Sequence, residues 1–258
     1  MKALVGVAAA SAVVGLAGAA QAGDWIVTVG GRASLAPPYE GASQLTPFGY
    51  PTINIRKADQ PERFSPPDGG GRLTLLRSGA FAFGGVARIR GKRDDHGDRQ
   101  GLRPINWALE PGAFVEVWPT SWLRMEAQGR RGVRGHHGWG GDILVDAVYD
   151  KGPWTASIGP RVGFGDSHYM ERYFGGTPTE AGLNPVIDTT YAPKGGLRYV
   201  GAEASLIYKI DARWRSRLYG GYNRLTSIPA DSPIVQKIGS RDQFSAGVGV
   251  SYAFDLHL

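Results

Sequence analysis

From residue 243 to 254 the chain alternates without a break. Phe244, Ala246, Val248, Val250, Tyr252 and Phe254 take one parity, and Gln243, Ser245, Gly247, Gly249, Ser251 and Ala253 take the other. Successive side chains of an extended strand point to opposite faces, so a period of two sorts apolar groups from small and polar ones. The run is longer than the usual soluble strand of about five or six residues. The same pattern recurs at 154–164, at 199–209 and at 213–223, where Arg213, Arg215, Arg217, Tyr219 and Asn223 oppose Trp214, Ser216, Leu218 and Tyr222. The 39 glycines point the same way, since each one inside a helix costs about 1 kcal/mol relative to alanine. The chain is all-β.

The spacing predicts about twelve strands, with ten to twelve compatible: 25–34, 47–56, 62–66, 71–77, 80–91, 105–117, 122–132, 139–149, 153–164, 196–209, 213–226 and 241–254. Their connections fall into two alternating classes. Tight turns lie at 57–61, 78–79, 118–121, 150–152 and 210–212, and longer polar loops at 35–46, 92–104, 165–195 and 227–240, with shorter members at 67–70 and 133–138. Short turns at one end and long loops at the other are the pattern of an outer-membrane barrel. The third strand matters, because without it the alternation loses its parity.

Residues 1–22 read as a signal peptide. Lys2 supplies the positive start, 3–20 is an apolar run rich in Ala, Val and Gly, and Ala20-Gln21-Ala22 has the small-x-small form of a cleavage site. The mature domain would be 23–258, secreted, periplasmic or inserted in an outer membrane. No later segment is apolar enough for a membrane helix. There is no cysteine, so disulfides, thiolate metal sites and cysteine nucleophiles are excluded. A formal net charge of +6 without a basic tail gives no support for nucleic-acid binding.

A soluble sandwich also alternates, so three further features decide for an antiparallel transmembrane β-barrel. Several strands have the roughly 9–11 residues that a tilted span requires. Trp25, Trp118, Trp122, Trp154 and Trp214 stand beside the short turns and Trp107 and Trp139 beside long loops, where interfacial girdles form. The last strand ends on Tyr252 and Phe254. The opposite face is charged: Arg32, Glu110, Glu116, Arg130, Asp142 and Asp146 accompany the candidate lumen-lining set Arg88, Arg90, Arg124, Glu126, Arg161, Glu203, Arg213, Arg215 and Arg217. A lumen would pair such charges, whose burial without partners is costly. Pro111 and Pro160 cannot donate to a ladder and suggest bulges.

Catalytic and cofactor signatures are missing: no phosphate-binding loop, zinc-protease helix or nucleophile elbow stands in the sequence. The run 93–98 lacks the spacing of a calcium loop, and His136-His137 reads as a polar turn. On a strand Ser167 and His168 would point apart and form no nucleophile–base pair; with Glu171 they read as part of an ordered loop. No cofactor, metal or catalytic residue is expected.

Several segments, in order, resemble the MltA-interacting protein (MipA/OmpV) family of Gram-negative outer membranes: Ala36-Pro37-Pro38-Tyr39-Glu40-Gly41-Ala42, Ser167-His168-Tyr169-Met170-Glu171-Arg172-Tyr173-Phe174-Gly175, Tyr191-Ala192-Pro193-Lys194-Gly195-Gly196-Leu197, Asp231-Ser232-Pro233-Ile234-Val235 and Gly247-Val248-Gly249-Val250-Ser251-Tyr252-Ala253-Phe254. The tail departs from the family pattern, running on through Asp255-Leu256-His257-Leu258. The resemblance implies a non-enzymatic outer-membrane protein with a structural or scaffolding role, joining a murein lytic transglycosylase to a penicillin-binding protein. The residues themselves leave alternatives open. The turns offer little periplasmic surface, Gly175-Gly176, Pro178, Pro185 and Pro193 discourage helix across loop 165–195, and that loop suits a plug or an adhesive surface. The arginine-rich face suits a small-solute channel favouring anions.

Overall fold

The structure, a computed structural model, describes residues 24–257; the expected signal peptide lies outside the described residues. Eleven strands form the wall: β1 (Trp25–Ala36), β2 (Thr46–Lys57), β3 (Gly71–Ser78), β4 (Phe81–Arg90), β5 (Ala108–Val117), β6 (Leu123–Arg131), β7 (Trp139–Lys151), β8 (Trp154–Gly165), β9 (Gly196–Lys209), β10 (Trp214–Leu225) and β11 (Asp242–Leu256). Each pairs with its neighbours in sequence, and β1 closes the ring on β11 from Trp25 opposite Leu256 to Leu35 opposite Ala246. Closure leaves no strand edge, which a hydrocarbon surround demands.

All neighbours are antiparallel except β2 and β3, which run parallel and pair only through Asn54–Arg72 and Ile55–Leu73. An odd ring cannot reverse direction at every step, so one parallel pair is a geometric necessity. The strand expected at 62–66 is the reason. Pro61, Pro66 and Pro67 cannot donate to a ladder, and the chain from β2 to β3 runs inside the barrel instead of in its wall. It leaves β2 at the end bearing the tight turns, rises through the lumen over 58–70, makes a 3-10 turn at Pro67–Gly69 and re-enters the wall at Gly71. Gly70 makes that exit possible: its φ is +84°, and a Cβ there would lie 2.5 Å from the Ala87 carbonyl oxygen. Eleven strands thus satisfy the expected range with one element moved indoors.

The packing is the reverse of a soluble protein. Outward positions are apolar and open, with Phe81 61%, Ile158 62% and Leu218 57% exposed, and each such side chain gains about 1.5–3 kcal/mol on leaving water for an apolar surround. Inward positions carry charge. Five tryptophans point outward near the strand ends (Trp107, Trp122, Trp139, Trp154 and Trp214). Trp118 differs: it is buried and packs on Phe64, Val148 and Ile207, so it anchors the internal segment and does not belong to a girdle. Pro111 makes no bulge, because it lies just beyond the last β6 partner, Gly112 opposite Arg130. Pro160 coincides with a gap in the β7–β8 pairs between Leu144–Arg161 and Ala147–Ile158.

The loops at the other end build a dome. Helix α1 (Ser167–Phe174) starts on Asp166, whose carboxylate accepts from the Tyr169 N–H, and α2 (Pro178–Leu183) starts on a reciprocal Thr177–Glu180 cap. The Gly and Pro residues expected to discourage helix set the ends of these two short ones: Gly175 terminates α1 and Pro178 opens α2. Tyr169, Met170, Tyr173 and Phe174 of α1 pack with Ile105, Tyr199, Leu225 and Val235. A second cluster joins Leu102, Ile187 and Ile234.

Candidate functional site

The interior falls into a neutralised lattice and a basic cavity. Arg124 is the centre of the lattice. It is fully buried and donates to Glu116 at 2.9 Å, to Asp146 at 2.7 Å and to Glu126. Arg72 binds Glu116 at 2.8 Å and Glu126, with its guanidinium 3.5 Å from the centre of the Phe114 ring. Arg161 reaches Asp146 and Asp68, each at 2.7 Å, and lies 3.6 Å from Glu203. Nearer the dome, Asp142 accepts from Arg88 at 3.1 Å, Arg198 at 2.9 Å, the Tyr199 hydroxyl at 2.7 Å and Arg130. Glu110 takes Arg90 at 2.5 Å, His136 at 2.8 Å and Arg130 at 3.4 Å. Buried charges persist here because carboxylates answer the guanidiniums across strands.

The internal segment is tied into this lattice from several sides. Arg32 donates to the Pro67 carbonyl, Arg88 to that of Asp68 at 2.6 Å, Gln128 to that of Gly69 at 3.1 Å and Arg217 to that of Ser65 at 2.7 Å. Its carbonyls find no partners in a ladder, so wall side chains satisfy them. Above the lattice, Arg198 joins wall to dome through Glu40 at 2.8 Å, and the Tyr169 hydroxyl donates to Glu40 at 2.7 Å.

Below the internal segment, at the turn end, lies a cavity of about 660 Å³. Trp118, Pro119, Thr120 and Ser121 bound it, and Arg32, Arg56, Arg63, Lys209, Arg215 and Arg217 line it against Glu62 and Asp150. Arg215 binds Glu62.

Of the candidate lumen-lining residues, Arg88, Arg90, Arg124, Glu126, Arg161 and Glu203 stand in the lattice, and Arg215 and Arg217 face the cavity. Arg213 does not line the lumen. It precedes the first residue of β10, and its backbone N–H and that of Trp214 are held by the Asp211 carboxylate. Its side chain is 57% exposed and reaches the Tyr252 hydroxyl. Arg72, Arg198, Glu62 and Asp68 are additional. Arg198 evades the alternation because a register shift at Gly163/Phe164 buries both it and Tyr199. Glu62 belongs to the stretch 62–66 expected as a wall strand, and Asp68 to the loop expected at 67–70.

Elsewhere the chemistry is sparse. Ser167 and His168 are consecutive in the first turn of α1, with His168 80% exposed and 3.8 Å from Asp166. His136 is a buried partner of Glu110 and lies edge-on to Tyr169 and Tyr173, in place of the expected polar turn. In the run 93–98, Asp94 pairs with Arg99 at 2.8 Å, while Arg93 is buried against the Tyr173 carbonyl and burial lowers its guanidinium to about 10. No group of three potential metal ligands occurs among the described residues.

Comparison with solved structures finds other barrels at low identity. The KdgM porin has a TM-score of 0.40 and 12% identity, over 88% of this chain and 99% of its own. An outer membrane channel from Pseudomonas putida F1 has 0.42 and 9%, over 92% and 97%. The outer membrane channel DcaP of Acinetobacter baumannii has 0.38 and 10%, over 90% and 98%. No curated protein matches the chain. The family model described as MltA-interacting protein MipA matches residues 29–254, and the chain belongs to that family.

Proposed function

We propose that this protein is an outer-membrane barrel with a closed lumen, acting as a structural or scaffolding element of the cell envelope and not as an enzyme. One observation carries the reading: the segment 58–70 occupies the lumen, where wall side chains hold the carbonyls of Ser65, Pro67, Asp68 and Gly69. A barrel filled in this way offers binding surfaces at its two ends. The apolar outer wall suits outer-membrane lipid as its surround. The family name supports a lytic transglycosylase as one partner, and a scaffold joining murein degradation to synthesis adds a penicillin-binding protein. The tight turns and the mouth of the cavity are the surface available on the periplasmic side.

The test is capture of a purified MltA-type transglycosylase and a bifunctional penicillin-binding protein on the folded, tagged barrel. Retention of both together supports the scaffold; retention of neither contradicts it. The second reading, a small-solute channel with an arginine-rich lumen, draws on the unmatched cations of the turn-end cavity. It requires 58–70 to leave its place.

A further inference from the structure

The geometry points to the turn-end cavity as a binding site for a small solute carrying two or more carboxylate or phosphate groups. Its cations lack the partners that the rest of the interior supplies. Each arginine of the lattice meets a carboxylate, whereas Arg32, Arg56, Arg63, Lys209 and Arg217 form no ion pair among the described residues. Their contacts are with neutral groups. Arg32 has the Pro67 carbonyl and the Tyr50 hydroxyl, Arg63 the Gly79 carbonyl and the Trp118 ring, and Arg217 the Ser65 carbonyl.

A second, independent observation concerns hydrogen bonding. Arg63 Nη1 and Arg215 Nε and Nη1 are buried without a partner although both side chains line the cavity. Guanidinium forks match the paired oxygens of carboxylates and phosphates, and this match is strongest for charged acceptors. Glu62 is already engaged by Arg215, and Asp150 accepts the Thr155 hydroxyl. Two carboxylates against six lining cations leave an excess of four positive charges. A single carboxylate would leave most of them unmatched, so a multiply charged ligand is required. At about 660 Å³ the space suits one small molecule, well within the roughly 300–1,000 Å³ of such pockets.

The site goes beyond the scaffold reading and does not depend on it, since a folded barrel can bind the anion whether or not it captures envelope enzymes. The test is isothermal titration of the folded, detergent-solubilised full barrel with citrate and with inorganic pyrophosphate. Saturable binding that weakens with added salt is expected, and Arg32→Gln with Arg217→Gln should lower affinity by roughly tenfold or more. Arg224→Gln, at the dome end beside Asp242, should leave it unchanged. Absence of saturable binding in folded protein, or equal affinity in the double variant, would overturn the proposal. A second measurement needs no variant. Phenylglyoxal labelling of the folded wild-type barrel, mapped by mass spectrometry, should show citrate protecting Arg63 and Arg217 but not Arg224; uniform labelling would equally overturn it.

Discussion

At the scale of single residues, the same side chain has opposite consequences on the two faces of the wall. Arg124, facing inward, answers Glu116, Glu126 and Asp146 at once. Arg124→Met leaves three buried carboxylates to their outer partners, among them Arg72 and Arg161, with no cation between them, so a loss of about 3–5 kcal/mol is expected. Reversible urea unfolding of the barrel in lipid would measure it, and a loss below 1 kcal/mol would mean the lattice contributes little. On the outer face, Ile158 is 62% exposed near the middle of β8. Ile158→Arg places an unpaired cation against hydrocarbon and should cost about 2–4 kcal/mol in the same assay. In detergent micelles, where the side chain finds water, the penalty should shrink.

Two elements distinguish this barrel from a bare ring of strands: the internal segment and the dome. With 58–70 inside, trypsin should spare Arg63 and cut the folded protein at Arg213, whose side chain is 57% exposed at a turn; peptide mapping after limited digestion reads both. The dome has its own pH dependence. Burial alone would raise the Glu180 carboxyl, but hydrogen bonds from the Arg103 and Thr177 backbone and the Thr177 hydroxyl more than reverse this, and its pKa is lowered. A depressed folded-state pKa contributes stability above the ordinary carboxylate range that fades as pH falls through the folded value. Hydrogen exchange of α2 amides should therefore accelerate below about pH 4, relative to β-strand amides of the wall. Glu180→Gln should remove most of that difference.

The sequence was most readable where one rule governed a long stretch. In β8 and β11 the period of two continues for most of the strand, because the inward positions are polar or small and the outward ones mostly apolar. It was least readable where the chain stops being wall. Segment 62–66 offers Glu62, Arg63, Phe64 and Ser65 between prolines, and parity made a twelfth strand attractive. Only the closed ring shows that a parallel β2–β3 seam restores the count. Arg198 was hidden by a one-residue register shift, which moves side chains to the other face without leaving a local sequence mark. Trp118 kept its expected place beside a turn but points inward, since a tryptophan suits a buried anchor as well as a girdle.

At the scale of the whole molecule, three layers cross the interior: the dome, the charge lattice and the internal segment, with the turn-end cavity below them. Among them the internal segment is attached to the wall by hydrogen bonds and ion pairs and to a small cluster around Phe64. Replacing 62–66 by glycines removes Glu62, Phe64 and Pro66, so transient conduction is expected from that variant in a planar bilayer. The wild-type chain gives the more direct test. Single-channel recording on protein shown to be folded by its heat-modifiable gel migration should remain silent across moderate voltages. Steady conductance steps from that same wild-type protein would contradict a closed barrel and make the arginine-lined interior a channel.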